Sequence, residues 1–177
     1  MTADRRNGLF LWGAAAVALA VDQLSKWWVL HHLPRHETVD VFPALRALFS
    51  FTRLNNTGVA FGMFPQLGDL FLVLTAVIVV ALIIFHRRLG LVGWVAHLAL
   101  GLQIGGALGN WVDRVVHGSV VDFIDVNFWP LHDWPVFNLA DTAIVVGVTL
   151  LIITTWSQEQ QGVETGVETP RESLSDA

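Results

Sequence analysis

Residues 89–112 read L-G-L-V-G-W-V-A-H-L-A-L-G-L-Q-I-G-G-A-L-G-N-W-V, without one Asp, Glu, Lys or Arg. A bilayer core about 30 Å thick takes roughly 20 apolar residues in a helix, so this stretch is long enough to span. Working outward, three more windows have the same character: Gly8–Leu30, interrupted only by Asp22 and Lys26; Leu67–Phe85, by Asp69; and Trp134–Trp156, by Asp141. The chain as a whole is 54% hydrophobic and 14% charged, with a mean hydropathy of +0.57. Together these features predict an all-α integral membrane protein with four transmembrane helices. The first window follows Arg5 and Arg6 as a signal peptide would, but no A-x-A cleavage pattern follows it, and three further spans argue for a retained anchor.

Arg5 and Arg6 before the first span, and Arg87 and Arg88 in the tight second connection, place both termini in the cytoplasm by the positive-inside rule. Arg35, Arg46, Arg53 and Arg114 then lie outside, but spread over longer segments. The outer segments are 31–66 and 113–133. In the first, Thr38–Phe42 and Leu48–Leu54 alternate like half-buried strands, which predicts a small extracytoplasmic β element. Trp27, Trp28, Trp111, Trp129 and Trp134 fall at the outer boundary, and Trp12, Trp94 and Trp156 near the inner one, as an aromatic belt would. Gly101, Gly105 and Gly109 recur every fourth residue and lay a smooth strip on one helix face, where a neighbouring helix can approach closely.

The formal charge of −5 is concentrated in residues 157–177, where five acids stand against Arg171 and carry −4 of the total. The membrane body, 1–156, is a single domain of ordinary size at −1, with no basic field for nucleic acid. The tail repeats Gly-Val-Glu-Thr at 162–165 and 166–169 and is too polar to bury anything, so 157–177 reads as a disordered cytoplasmic extension whose removal after Trp156 leaves the body intact. Without cysteine there is no disulfide, thiolate metal site or cysteine nucleophile.

Ionisable groups in a span are costly, and each calls for a reason. Asp22, Asp113, Asp122 and Asp141 all fall at or beside the outer end of a span. Carboxylates forced together share protons unequally, which yields an acid and a base from one residue type. Other chemistries lack their motifs: there is no H-E-x-x-H, G-x-S-x-G or P-loop. Pro34 breaks any helical spacing among His31, His32 and His36, and Ser25 points away from Lys26 as its helical neighbour. Bland readings stand beside this one. Asn138 and Asp141 have the spacing of a helix cap, Asp113 and Arg114 of an interfacial pair, Asp22 and Lys26 of a neutralising i, i+4 pair, and Asn55–Gly62 of a tight turn. If Asn138 caps the last helix, the helix dipole favours an anion at Asp141 over one at Asp122. Two rival functions are a proton-coupled carrier, disfavoured by acids at one surface and no inverted repeat, and a scaffold indifferent to its aspartates.

Five blocks change this balance: Asp22-Gln23-Leu24-Ser25-Lys26, Asn56-Thr57-Gly58-Val59-Ala60-Phe61, Gly109-Asn110-Trp111-Val112-Asp113-Arg114, Val120-Val121-Asp122-Phe123-Ile124 and Phe137-Asn138-Leu139-Ala140-Asp141. In this order they resemble lipoprotein signal peptidase, or signal peptidase II, over Asp22–Ile144. The resemblance implies an aspartyl endopeptidase of the bacterial inner membrane, active near the outer leaflet. It would remove the signal peptide from prolipoproteins by cutting just before a diacylglyceryl-modified cysteine. By the same resemblance Asp122 and Asp141 are catalytic, Asn56, Asn110 and Arg114 hold substrate or order the site, and Asp22, Lys26, Asp113 and Asn138 support the pocket. No metal or cofactor is expected. The partners expected are the diacylglyceryl-prolipoprotein and membrane lipids, not nucleic acid, and the protein should act as a monomer.

Overall fold

The computed structural model of the chain describes residues 3–57 and 68–166. Among the described residues there are four α-helices: α1 Ala3–His32, α2 Gly68–Phe85, α3 Gly93–His117 and α4 Leu139–Gly166. Between them lie β1 Thr38–Val39, β2 Phe49–Asn56 and β3 Val120–Val126, joined as one antiparallel sheet in the order β1-β2-β3. α3 is the central helix, packed on α1, α4 and α2. Two segments, Arg5–His32 and Leu139–Gln158, are long and apolar enough to cross a membrane, and Leu72–Ile84 is a shorter apolar stretch. Val73, Val77, Val80 and Ile84 of α2 and Val145, Ile152 and Ile153 of α4 remain exposed, a surface suited to lipid rather than water.

Helix boundaries follow local chemistry more than hydropathy. α1 runs to His32, two residues before Pro34, whose ring disfavours helical geometry in the residue ahead of it. α3 continues past the expected end at Val112 to His117 and stops at Gly118, which adopts φ 68° and donates its N–H to the Arg114 carbonyl. Asp113 and Arg114 are therefore helical residues, not members of an outer loop. α4 starts at Leu139 rather than Trp134. It also continues ten residues beyond Trp156 to Gly166, so 157–166 is helix and not the disordered tail expected; 167–177 lie outside the described residues. Gln158 there donates to the Val92 carbonyl at 3.2 Å. The tight turn expected at Asn55–Gly62 begins as strand at Asn55 and Asn56 and then passes outside the described residues.

The glycine strip of α3 lies against α1. A Cβ on Gly101 would meet the Leu11 carbonyl oxygen, one on Gly105 the Ala15 carbonyl oxygen, and one on Gly109 the Asp22 carboxylate. Gly106, outside the expected strip, faces Ala140 and Ile144 of α4 in the same way. Close backbone approach brings the polar end of α1 onto α3 and α4, while Leu11, Ala15, Val79, Leu100 and Ile104 form the apolar core below it. Gly105→Ala would press a methyl on backbone, which cannot swing aside. It should destabilise the folded protein by about 1–3 kcal/mol; an unchanged unfolding midpoint in detergent would contradict this packing.

β1 and β2 match the two expected strands, shortened to Thr38–Val39 and shifted to Phe49–Asn56, whereas β3 was not expected. β2 pairs Phe51 with Ile124 and Leu54 with Asp122, so one strand carries an extra residue between these pairs. Such a bulge re-aims the side chains beyond it. Asn56 pairs with Val120, two residues from Asp122, and so shares its face of the sheet. Val29, Leu33, Val121 and Phe123 close a second apolar cluster that seats the sheet on the end of α1.

Candidate active site

The fold gathers the four aspartates at one end of the bundle, together with Lys26, Asn56, Asn110, Arg114 and Asn138. Asp122 and Asp141 arrive on different elements, a strand and a helix, and a short backbone splice joins them. Phe123 and Ile124 both donate N–H to the Phe137 carbonyl, at 2.9 and 2.7 Å, and Phe137 donates back to the Ile124 carbonyl at 3.1 Å. The residues following Asp122 are thereby stitched to the residue preceding Asn138.

Asn138 then touches both carboxylates. Its side-chain Nδ2 donates to Asp122 Oδ1 at 2.7 Å, and its backbone N–H donates to Asp141 Oδ2 at 3.2 Å. Its Oδ1 accepts the Asp141 N–H at 3.0 Å. Asn138 and Asp141 thus form a reciprocal capping pair at the start of α4, and the capping reading made from their spacing holds alongside the link to Asp122. The second oxygen of each carboxylate is also held: Asn56 Nδ2 donates to Asp122 Oδ2 at 2.9 Å, and Asn110 Nδ2 to Asp141 Oδ1 at 2.8 Å. Burial pushes the Asp122 carboxyl up to about 6, and the Asp141 charge adds to this against the lowering effect of the Asn56 and Asn138 hydrogen bonds.

Behind this pair lies a buried ionic cluster. Lys26 Nζ reaches Asp22 Oδ2, Asp113 Oδ2 and Asn110 Oδ1, each at 2.9 Å, which uses all three ammonium protons. Lys26 is 2% exposed, Asp22 0% and Asp113 1%, so none is a surface ion. Asp22 and Lys26 do neutralise each other within α1, and Asp113 pairs with the same Lys26. Each of the two acids also grips the backbone next to a site aspartate. Asp22 Oδ1 accepts the Ala140 N–H at 2.9 Å, one of the donors left unpaired at the start of α4, and Asp113 Oδ2 accepts the Val121 N–H at 3.0 Å. Gln23, which the sequence reading passed over, donates to Asp22 and Asp113 at 3.1 and 3.0 Å. Its place beside Asp22 on an otherwise apolar helix was the available signal.

A cavity of 490 Å³ opens on this arrangement, lined by Asn56, Asn110, Arg114, Asp122 and Asp141 and walled by apolar residues of α2 and α4, among them Ile78, Leu82, Ile144 and Val145. Arg114 donates to the Asn110 carbonyl at 3.2 Å, and its guanidinium lies in electrostatic range of Asp141, Asp122 and Asp113. His31 and His32 bond instead to the Trp27 and Trp28 carbonyls at 2.7 and 2.8 Å, and no group of metal-binding residues occurs among the described residues.

Comparison with known proteins gives this geometry a setting. The family profile described as signal peptidase (SPase) II matches residues 14–157. The lipoprotein signal peptidase of Halothermothrix orenii is 39% identical over 146 residues, covering 82% of this chain and 94% of that protein. That of Shewanella baltica is 40% identical over 150 residues, covering 82% and 85%. Among solved structures, a bacterial membrane enzyme determined by the in meso method at 2.3 Å superposes with a TM-score of 0.72 at 28% identity, over 91% of this chain and 92% of that one. A second, at 1.9 Å, gives 0.71 at 32% identity, over 80% and 89%.

Proposed function

Since this chain belongs to the signal peptidase II family and removes the signal peptide from prolipoproteins, we propose that it does so as an aspartyl endopeptidase, with Asp122 and Asp141 as the catalytic pair. The observation that carries this reading is that one residue, Asn138, hydrogen-bonds both carboxylates at the floor of one cavity. Asp141, at a helix N-terminus and accepting two N–H donors, is the group that takes a proton from water. The oxygen of that water attacks the scissile carbonyl carbon, while protonated Asp122 donates to the carbonyl oxygen. Collapse of the tetrahedral intermediate breaks the C–N bond; the leaving amine takes the proton that Asp141 drew from the water, and the gem-diol returns its proton to Asp122, which restores the starting pair. Arg114, Asn56 and Asn110 position the peptide, and Asp22, Lys26, Asp113 and Asn138 hold the pair in place.

The protein is a bacterial membrane protein. In our reading all four helices cross the inner membrane, both termini are cytoplasmic, and the sheet and site lie near the outer leaflet. The apolar walls from α2 and α4 would receive the signal helix from the bilayer. The substrate would be a prolipoprotein whose cysteine carries a diacylglyceryl group, cut just before that cysteine by a monomer that needs no metal or cofactor. Purified protein incubated with diacylglyceryl-modified prolipoprotein should release the shortened product. No product, or equal cleavage of the unmodified precursor, would refute the assignment.

The pH dependence follows from Asp122. Its folded value of about 6 lies above the ordinary 3.8, so the fold favours its protonated form; that contribution to stability is full below about pH 4 and lost as pH rises through about 6. The acid role needs the same proton. Cleavage is therefore expected to fall as pH rises above about 6, approaching tenfold per unit. A profile flat from pH 5 to 9, measured with binding saturated, would remove Asp122 as the acid.

A further inference from the structure

An opening larger than the one at the aspartates lies at the other end of the bundle. Arg5 precedes Asp22 in the same helix by about 25 Å along the axis, at 1.5 Å per residue. There a cavity of 720 Å³ is enclosed by the first turns of α1, the α2–α3 connection and the start of α3. Arg5, Arg87, His86 and His97 all line it, and no carboxylate does. Neither Arg5 nor Arg87 forms an ion pair among the described residues. Each histidine meets a carbonyl through Nδ1, His86 that of Ile83 at 2.6 Å and His97 that of Gly93 at 2.8 Å, which leaves its Nε2 for another partner. Asn7, also in the wall, has a buried Oδ1 with no hydrogen-bond partner.

Two guanidinium groups at one opening, with no carboxylate among its described lining residues, favour an anion. The surroundings say which kind. Leu9, Phe10, Trp12, Leu89, Val92 and Trp94 stand exposed around this end of the bundle, and Trp12 also lines the cavity. A ligand with an anionic head and apolar tails meets both surfaces at once, and basic pockets between helix ends at the headgroup level take such heads. An orphan acceptor at Asn7 Oδ1 calls for a donor as well, which a hydroxylated headgroup carries.

We propose that this cavity binds the phosphate of an anionic glycerophospholipid, with Arg5 and Arg87 as its charge partners and Asn7 accepting from the headgroup hydroxyl. In the topology given above this is the cytoplasmic leaflet, and the site is separate from the peptidase chemistry. The test uses full-length protein in neutral detergent, with lipid retention followed by native mass spectrometry and the unfolding midpoint followed by heating. Phosphatidylglycerol should be retained and raise the midpoint, while phosphatidylcholine should do neither. Arg5→Gln with Arg87→Gln should weaken phosphatidylglycerol retention about thirtyfold, the change that two juxtamembrane charges carry; Arg5→Lys with Arg87→Lys should keep most of it. Glycerol phosphate identifies the source: no protection at millimolar concentration supports the lipid, and protection equal to that by phosphatidylglycerol overturns it in favour of a soluble phosphate. Equal retention of the two lipids, or undiminished retention of phosphatidylglycerol by the glutamine variant, overturns the site. Should the glutamine variant not fold, the comparison of the two lipids on the unaltered chain decides alone.

Discussion

Asp122→Asn and Asp141→Asn are each expected to lower cleavage of a diacylglyceryl-modified prolipoprotein by about 10³-fold or more while the protein stays inserted and folded. The size follows from the role: a positioned acid or base supplies roughly 10²–10⁴-fold, and an amide can neither ionise nor pass on a proton. Some loss of stability should accompany this. Asp122 accepts from Asn56 on one oxygen and Asn138 on the other, and Asp141 accepts from Asn110 and from the Asn138 backbone. Asparagine offers one acceptor where aspartate offers two, so a donor is left facing a donor at a cost of about 1–3 kcal/mol. The helical circular dichroism and detergent elution of both variants should nevertheless match the unaltered chain, since the Phe137 splice and the Asp22–Ala140 and Asp113–Val121 bonds are untouched. Turnover within tenfold of the unaltered enzyme in either variant would refute the pair. Loss of activity with loss of fold would be read against Asn56→Ala, which removes a donor to Asp122 and leaves both carboxylates ionisable.

What could be read from the sequence was local, and what could not was set by pairing over distance. Hydropathy located α2 within a residue at its start, because Asp69 is the one charged residue in the sequence of Gly68–Phe85. It ended α3 too early, because Asp113 and Arg114 look like the first residues of a loop; Asp113 can stay in the helix, buried, only because Lys26 of α1 neutralises it. β3 escaped notice because Asp122 and Asp125 spoil the alternation of Val120–Val126, and the strand exists through its pairing with β2. The polar run after Trp156 has the composition of a disordered tail, yet Gln and Glu are good helix formers, and residues 157–166 prolong α4. The five motif blocks hold the candidate residues that the fold brings together. Their wiring was invisible: nothing in Asp22 announces a bond to Ala140, and nothing in Asn138 announces that it serves Asp122 and Asp141 together.

That wiring makes Lys26 the most consequential single position for stability. Lys26→Met should destabilise the folded protein by about 3–5 kcal/mol, although methionine fits the apolar part of the same space. Its ammonium is shared among Asp22, Asp113 and Asn110, and its removal leaves two almost fully buried carboxylates with no cation between them. Protonating both would relieve the repulsion, but a protonated carboxyl is a poorer acceptor for the Ala140 and Val121 N–H groups that place Asp141 and Asp122. Asn110 loses a donor at the same time, which loosens its hold on Asp141. Neutralising the acids separates the charge effect from the packing effect. Lys26→Met combined with Asp22→Asn and Asp113→Asn keeps an acceptor for each backbone N–H and removes the unpaired charges, so it should recover most of the lost stability. The measurement is reversible unfolding of both variants in mixed micelles. A Lys26→Met protein within about 1 kcal/mol of the unaltered chain, inside the range of an exposed ion pair, would mean that the cluster does not hold the ends of α1, α3 and α4 together. A triple variant no more stable than the single one would place the cost in the lost ammonium contacts and not in the stranded carboxylates.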